Sequence, residues 1–127
     1  MSSYDDHGWT PVCRVLDLVR ESGVAVLVDG LAIAIITTHD GNIHAISNRD
    51  PFSGASVMAR GIVGSRGSLP VISSPMYKQV FDLRTGQCLD DAAVRVPVHE
   101  VRVDGDTVLV RLEESCPPHH SQVSGSA

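Results

Sequence analysis

The residues of this chain that could do chemistry are few and mostly isolated. His39 and His44 flank Asp40-Gly41-Asn42 and could approach each other across a hairpin, offering two imidazoles to a metal ion. Two ligands are too few for a structural zinc, so these histidines read as solvent-exposed turn residues. Near the C-terminus Cys116-Pro117-Pro118-His119 has Cys-x-x-His spacing, with His120 beside it. No Cys-x-His pair accompanies it, because Cys13 is followed two residues later by Val15 and Cys88 by Asp90. Cys13 and Cys88 adjoin strand-forming residues and read as small buried hydrophobes. Three widely spaced cysteines do not make a disulfide framework. The stretch Gly61-Ile62-Val63-Gly64-Ser65-Arg66-Gly67 is glycine-rich, but it lacks the Lys-Ser/Thr ending of a phosphate-binding loop and no helix follows. No Ser-His-Asp or paired-carboxylate set can be placed in its required context. The reading is of a chain with no catalytic residue and no metal site of its own.

The elements that would position any site are strands. Gly23 to Val28, Leu31 to Thr38 and Ile43 to Ser47 are apolar, β-branched segments separated by Asp29-Gly30 and by His39-Asp40-Gly41-Asn42. Asp-Gly between such runs signals a hairpin, which predicts a three-stranded meander. Trp9 to Cys13 reads as a first strand, and Val15 to Glu21 as a helical turn or two stopped at Ser22-Gly23. From Asn48 to Pro75 glycines and prolines predominate, with short strands predicted at Gly61 to Val63 and Leu69 to Ser73. A loop-rich insert of that length inside a domain usually has a function. Lys78 to Asp82 alternates as a strand, turned back by Leu83-Arg84-Thr85-Gly86 into Gln87-Cys88-Leu89. Val98 to Val103 and Thr107 to Leu112 form a last hairpin with Val101, Val103, Val108 and Val110 on the core face. Residues 1–8 read as a leader, 9–112 as one domain and 113–127 as a disordered tail.

Charge and composition narrow the function. The formal net charge is -5, so there is no basic footprint for nucleic acid. The longest apolar run, Leu31 to Ile36, is far short of the roughly 18 to 20 residues a membrane helix needs, and no secretory signal is visible. No membrane partner is expected, and the expected compartment is the cytoplasm.

Two further stretches carry most of the information: Asp50-Pro51-Phe52-Ser53-Gly54-Ala55, and Ser74-Pro75-Met76-Tyr77 running into Phe81-Asp82-Leu83-Arg84-Thr85-Gly86. They resemble the two cluster-binding loops of a Rieske domain, Cys-Pro-His-x-Gly-Ala and Cys-Pro-x-His followed by Phe-Asp-Leu-x-Thr-Gly. A Rieske centre is held by two thiolates and two imidazoles. Here Asp50, Phe52, Ser74 and Tyr77 stand at the four ligand positions. Phe52 has no lone pair, and hydroxyl or carboxylate oxygens suit sulfide-bridged iron poorly. The frame with every ligand replaced resembles the small subunit of assimilatory NAD(P)H-dependent nitrite reductase, over roughly Trp9 to Leu112.

That resemblance implies an all-β, Rieske-like fold of antiparallel hairpins in small layered sheets, with a loop-rich insertion of the cluster-binding type. It also implies a partner, the large subunit, which in this family carries flavin, a 4Fe-4S cluster and sirohaem and reduces nitrite to ammonium. The chain itself would hold no cofactor and would act by contact. Arg49, Phe52, Met58, Met76, Tyr77 and Lys78 are the candidate docking residues, since aromatic side chains and Met are enriched at interface cores. Phe52 and Tyr77 could equally turn inward and fill the volume a cluster would occupy. A cluster-bearing electron-transfer ferredoxin and a freestanding binding module are the rival readings.

Overall fold

In the computed structural model, which describes residues 8–76 and 78–113, the chain is built from antiparallel strands. These are β1 (Thr10–Arg14), β2 (Ser22–Val28), β3 (Leu31–Thr37), β4 (Ile43–Ser47), β5 (Ile62–Arg66), β6 (Leu69–Ser73), β7 (Val80–Asp82), β8 (Val98–Asp104) and β9 (Thr107–Arg111). One sheet has the order β1-β9-β8-β4-β3-β2, and a second, β5-β6-β7, is inserted between β4 and β8. The predicted meander is β2-β3-β4. Its first turn has both Asp29 and Gly30 at positive φ, 52° and 84°, the geometry that an Asp-Gly pair favours.

The continuous apolar run in β3 has a plain cause. Ala34 and Ile36 face one core cluster with Ile46, Met58, Ile72, Phe81, Leu83 and Val96, while Ile33 and Ile35 face a second with Val28, Ala45 and Val110. A strand covered on both faces has no solvent side and so no alternation. In the last hairpin three of the four expected core residues hold, Val108 and Val110 buried and Val101 packed against the second cluster, while Leu109 joins them and Val103 on β8 does not, being 46% exposed. Helical structure in the stretch after β1 is limited to a single 3-10 turn, Val15–Asp17. Gln87 and Cys88 make only isolated bridges, to Arg95 and Phe81, instead of a full strand.

The 3-10 turn Met58–Arg60, which leads into the inserted sheet, is tied to the larger sheet through Asn48. Its backbone N–H donates to Ala32 O at 2.9 Å, and its Oδ1 accepts the Ala59 N–H at 2.7 Å. At the other end of the domain Glu113, expected to open a tail, is among the described residues. Glu113 is half-buried, pairs with Arg95 at 3.1 Å and accepts the Val98 N–H. Cys116, His119 and His120 lie outside the described residues. Among the described residues, no helix is long and apolar enough to cross a membrane.

His99 on β8 is buried, and its Nδ1 accepts the Glu113 N–H at 2.9 Å. The ring is therefore neutral, with its proton on Nε2, which faces Ser47 Oγ at 3.3 Å. Burial holds His99 below the ordinary value of 6.5, assisted by Arg95 and opposed by Glu113; burial lowers His44 likewise, against the pull of Asp40 and Asp82. Both groups take up protons more readily unfolded than folded. Their contribution to stability is thus complete above the unfolded value and is lost as pH falls through and below it. Thermal melts between about pH 7.5 and 5.5 should show the midpoint falling with acid, and His99→Gln should flatten that slope. An unchanged slope would remove His99 from the account.

Candidate functional site

Three turns share one backbone pattern. In the first, Asp50 N–H donates to Ala55 O at 2.8 Å, Asp50 O accepts Gly54 N–H at 2.7 Å, and Asp50 Oδ1 accepts Phe52 N–H at 2.8 Å. In the third, Asp82 N–H donates to Gln87 O at 2.9 Å, Asp82 O accepts Gly86 N–H at 2.7 Å, and Asp82 Oδ1 accepts Arg84 N–H at 2.8 Å. The second begins at Ser74: N–H to Gln79 O at 2.9 Å, O from Lys78 N–H at 2.9 Å, Oγ from Met76 N–H at 3.2 Å. A short polar side chain at the first position caps the amide two residues on, as Asp and Ser do in turns.

The fifth position of each turn is left-handed: Gly54 at φ +81°, Lys78 at +65°, Gly86 at +83°. Glycine adopts that conformation freely. Lys78 does so at a cost of about 1 kcal/mol.

Asp82 is buried beside Arg84, whose guanidinium lies 3.3 Å from Oδ2. Burial alone would raise the Asp82 carboxyl, but the side-chain and backbone bonds from Arg84 outweigh it and hold the group below the usual carboxylate range.

The first two turns meet at Asp50 and Ser74. Asp50 is 0% and Ser74 1% exposed, and the Ser74 hydroxyl donates to Asp50 Oδ2 across 24 residues of chain. Asp50 Oδ1 also receives Ser53 N–H at 3.4 Å, so both carboxylate oxygens are engaged. Phe52 is half-buried against the core, its ring centroid 6.2 Å from that of Phe81. Of the two orientations open for Phe52, the structure therefore shows the inward one. Met58 is fully buried in the same cluster and is not a surface contact residue, because the 3-10 turn Met58–Arg60 folds it under β3. Arg49 and Lys78 are exposed and Met76 is 46% exposed. Tyr77 lies outside the described residues.

These donors do not fit a two-iron cluster. Such a centre selects thiolate and imidazole, whereas the Asp50 and Ser74 oxygens are bound to each other and to backbone amides, and Phe52 offers no donor. Among the described residues no group of three His, Cys, Asp or Glu could hold a metal ion. His39 is exposed as expected. His44 is not: it is half-buried on β4, and its Nε2 is enclosed without a hydrogen-bond partner. The period-2 pattern of β4 set His44 opposite Ile36, inside the hairpin instead of in its turn.

The Asp50–Ser74 contact is the feature that residue types alone did not reveal. Its signal was available. Both residues open the same kind of turn at positions that a shared centre would bring together.

The chain matches the family model of the Rieske-like [2Fe-2S] domain over residues 8–111. It is 35% identical over 104 residues to the nitrite reductase (NADH) small subunit of Escherichia coli strain K12, covering 81% of this chain and 96% of that protein. It is 30% identical over 102 residues to the nitrite reductase [NAD(P)H] large subunit of Klebsiella oxytoca, covering 80% of this chain and only 11% of that protein. The crystal structure assigned to an NADH-dependent nitrite reductase small subunit of Mycobacterium tuberculosis superposes with a TM-score of 0.77 at 47% identity, covering 80% of this chain and 92% of the other. Carrying the two-loop frame of that domain and matching these small subunits over nearly their whole length, the chain belongs to the Rieske-like [2Fe-2S] domain family and, within it, to the nitrite reductase small subunits.

Proposed function

We propose that this chain works in an NAD(P)H-dependent nitrite reductase, taking nitrite to ammonium in nitrate assimilation in the cytoplasm, and that it acts by contact with the large subunit without carrying a cluster. The observation that carries this reading is the Asp50–Ser74 hydrogen bond at two of the four cluster positions, with Phe52 turned to the core at a third. Oxygens already satisfied by protein donors are not available to iron. The likeness to a short part of a Klebsiella large subunit supports the partner: there the same kind of module is carried on one polypeptide with the large chain. Flavin, 4Fe-4S and sirohaem chemistry then belongs to the large subunit.

The surface offered for docking is the pair of loops at 50–54 and 74–78, with Met76 as the apolar group and Arg49 and Lys78 as cations beside it. A lysine held at positive φ, where glycine would sit without strain, supports a role for the Lys78 side chain. Strain of that kind collects at functional sites.

Two measurements test the reading. The full chain, purified and then reconstituted anaerobically with iron and sulfide, should remain colourless and iron-free, and it should bind the large subunit in a pull-down. Stoichiometric iron with a visible cluster spectrum would overturn the cofactor-free role in favour of a ferredoxin. Met76→Asp and Lys78→Glu should each weaken binding about tenfold or more while the melting temperature of the free chain hardly moves. Undiminished binding in both would place the docking surface elsewhere.

A further inference from the structure

We infer that Asp50 and Ser74 are a positioning pair: their hydrogen bond fixes the two loops against each other and so sets the shape of the surface that meets the large subunit. The inference rests on the docking reading above. A metal cluster with ligands on two loops would hold them in one register through its bonds. Here one buried O–H to carboxylate bond joins the same two positions.

The candidate contact residues hang from this pair. Met76 N–H is bound to Ser74 Oγ, Lys78 N–H to Ser74 O, and Phe52 N–H to Asp50 Oδ1. Moving Ser74 away from Asp50 therefore shifts Met76 and Lys78 relative to Phe52. Both residues are closed to solvent, so no water replaces the lost donor without opening the loops. A bond to a charged acceptor in such a place is strong, and its loss leaves the carboxylate short of a partner. Neither residue is exposed enough to serve as a contact itself, so any effect on binding must pass through loop geometry.

The experiment uses the full chain and the large subunit. Ser74→Ala, Asp50→Asn, the double variant and Ser74→Thr are compared by affinity and, in the free chain, by amide exchange at Phe52, Ser53, Met76 and Lys78. Ser74→Ala should speed exchange at Met76 and Phe52 and weaken binding about tenfold. The double variant should be little worse than the weaker single one, because the two residues share one interaction. Ser74→Thr, which keeps the hydroxyl, should restore most of the affinity. Ser74→Cys, close in size and poor as a donor, takes the place of Ser74→Ala if that chain does not fold.

Loosened amides with unchanged affinity would overturn the positioning role. So would losses that multiply in the double variant. If Met76→Asp and Lys78→Glu still weaken binding in either case, the docking reading survives and only this inference falls. If neither does, the docking surface was misplaced.

Discussion

Gly86→Ala is expected to lower the melting temperature by more than about 10 °C, a loss of about 3 kcal/mol or more. Gly86 closes the turn that begins at Asp82, with φ at +83°. An added Cβ there would stand 1.9 Å from Val96 O and 2.9 Å from Val98 Cγ2. Two costs add. The left-handed backbone disfavours any side chain, and the overlap is with a backbone carbonyl that cannot rotate away. Val96 N–H also donates to Gly86 O at 2.9 Å, so the two segments cannot separate without losing that bond. Gly64→Ala is the control, since nothing lies within 4 Å of its Cβ position. Thermal melts followed by circular dichroism decide the matter: similar midpoints for the two variants would show that the Asp82 turn yields easily.

Phe81→Ala should cost about 3 to 5 kcal/mol, the range for removing a fully buried aromatic side chain. Phe81 is 0% exposed at the centre of the cluster that joins the two sheets, paired with Ile72 on β6 and bridged to Cys88. Its truncation also removes the ring against which Phe52 rests. Phe52→Ala should cost less, about 1 to 2 kcal/mol, because that side chain is only half-buried. Its structural place between core and surface predicts loss in two readouts, a lower melting point and weaker binding to the large subunit. The double variant should fall short of the sum, as contacting residues do. Full additivity in denaturant titrations would show that the rings act independently.

The sheet-forming segments and the hairpin turns were legible because their signals are local. Asp29-Gly30 between two β-branched runs specifies a tight turn whatever surrounds it, and Leu31 to Ile36 is apolar throughout because β3 is covered on both faces. That positions 50, 52 and 74 carry Asp, Phe and Ser, and so neither thiolate nor imidazole, was legible for a similar reason, being a property of the residue type. Phe81-Asp82-Leu83-Arg84-Thr85-Gly86 was recognisable as a motif, and the structure supplies its cause. Phe81 and Leu83 enter the core, Asp82 caps the turn, and Gly86 passes under the Val96 carbonyl.

Other assignments depended on contacts far apart in sequence. Met58, in a glycine-rich stretch that looked exposed, is covered only because the inserted sheet folds back onto β3. His44 sits near a turn in sequence, yet strand pairing sets it opposite Ile36 with its Nε2 enclosed. Val103 looked like a core residue from its alternation, but among the described residues it is left 46% exposed near the end of β8. Sequence by itself thus determined the all-β class, the hairpins and the residue types at positions 50, 52 and 74, all of which follow from residue type and short-range spacing. Tertiary structure alone decided that Asp50 and Ser74 meet, that Phe52 turns inward and that Met58 is core, because burial and pairing across 24 or more residues depend on how the two sheets pack.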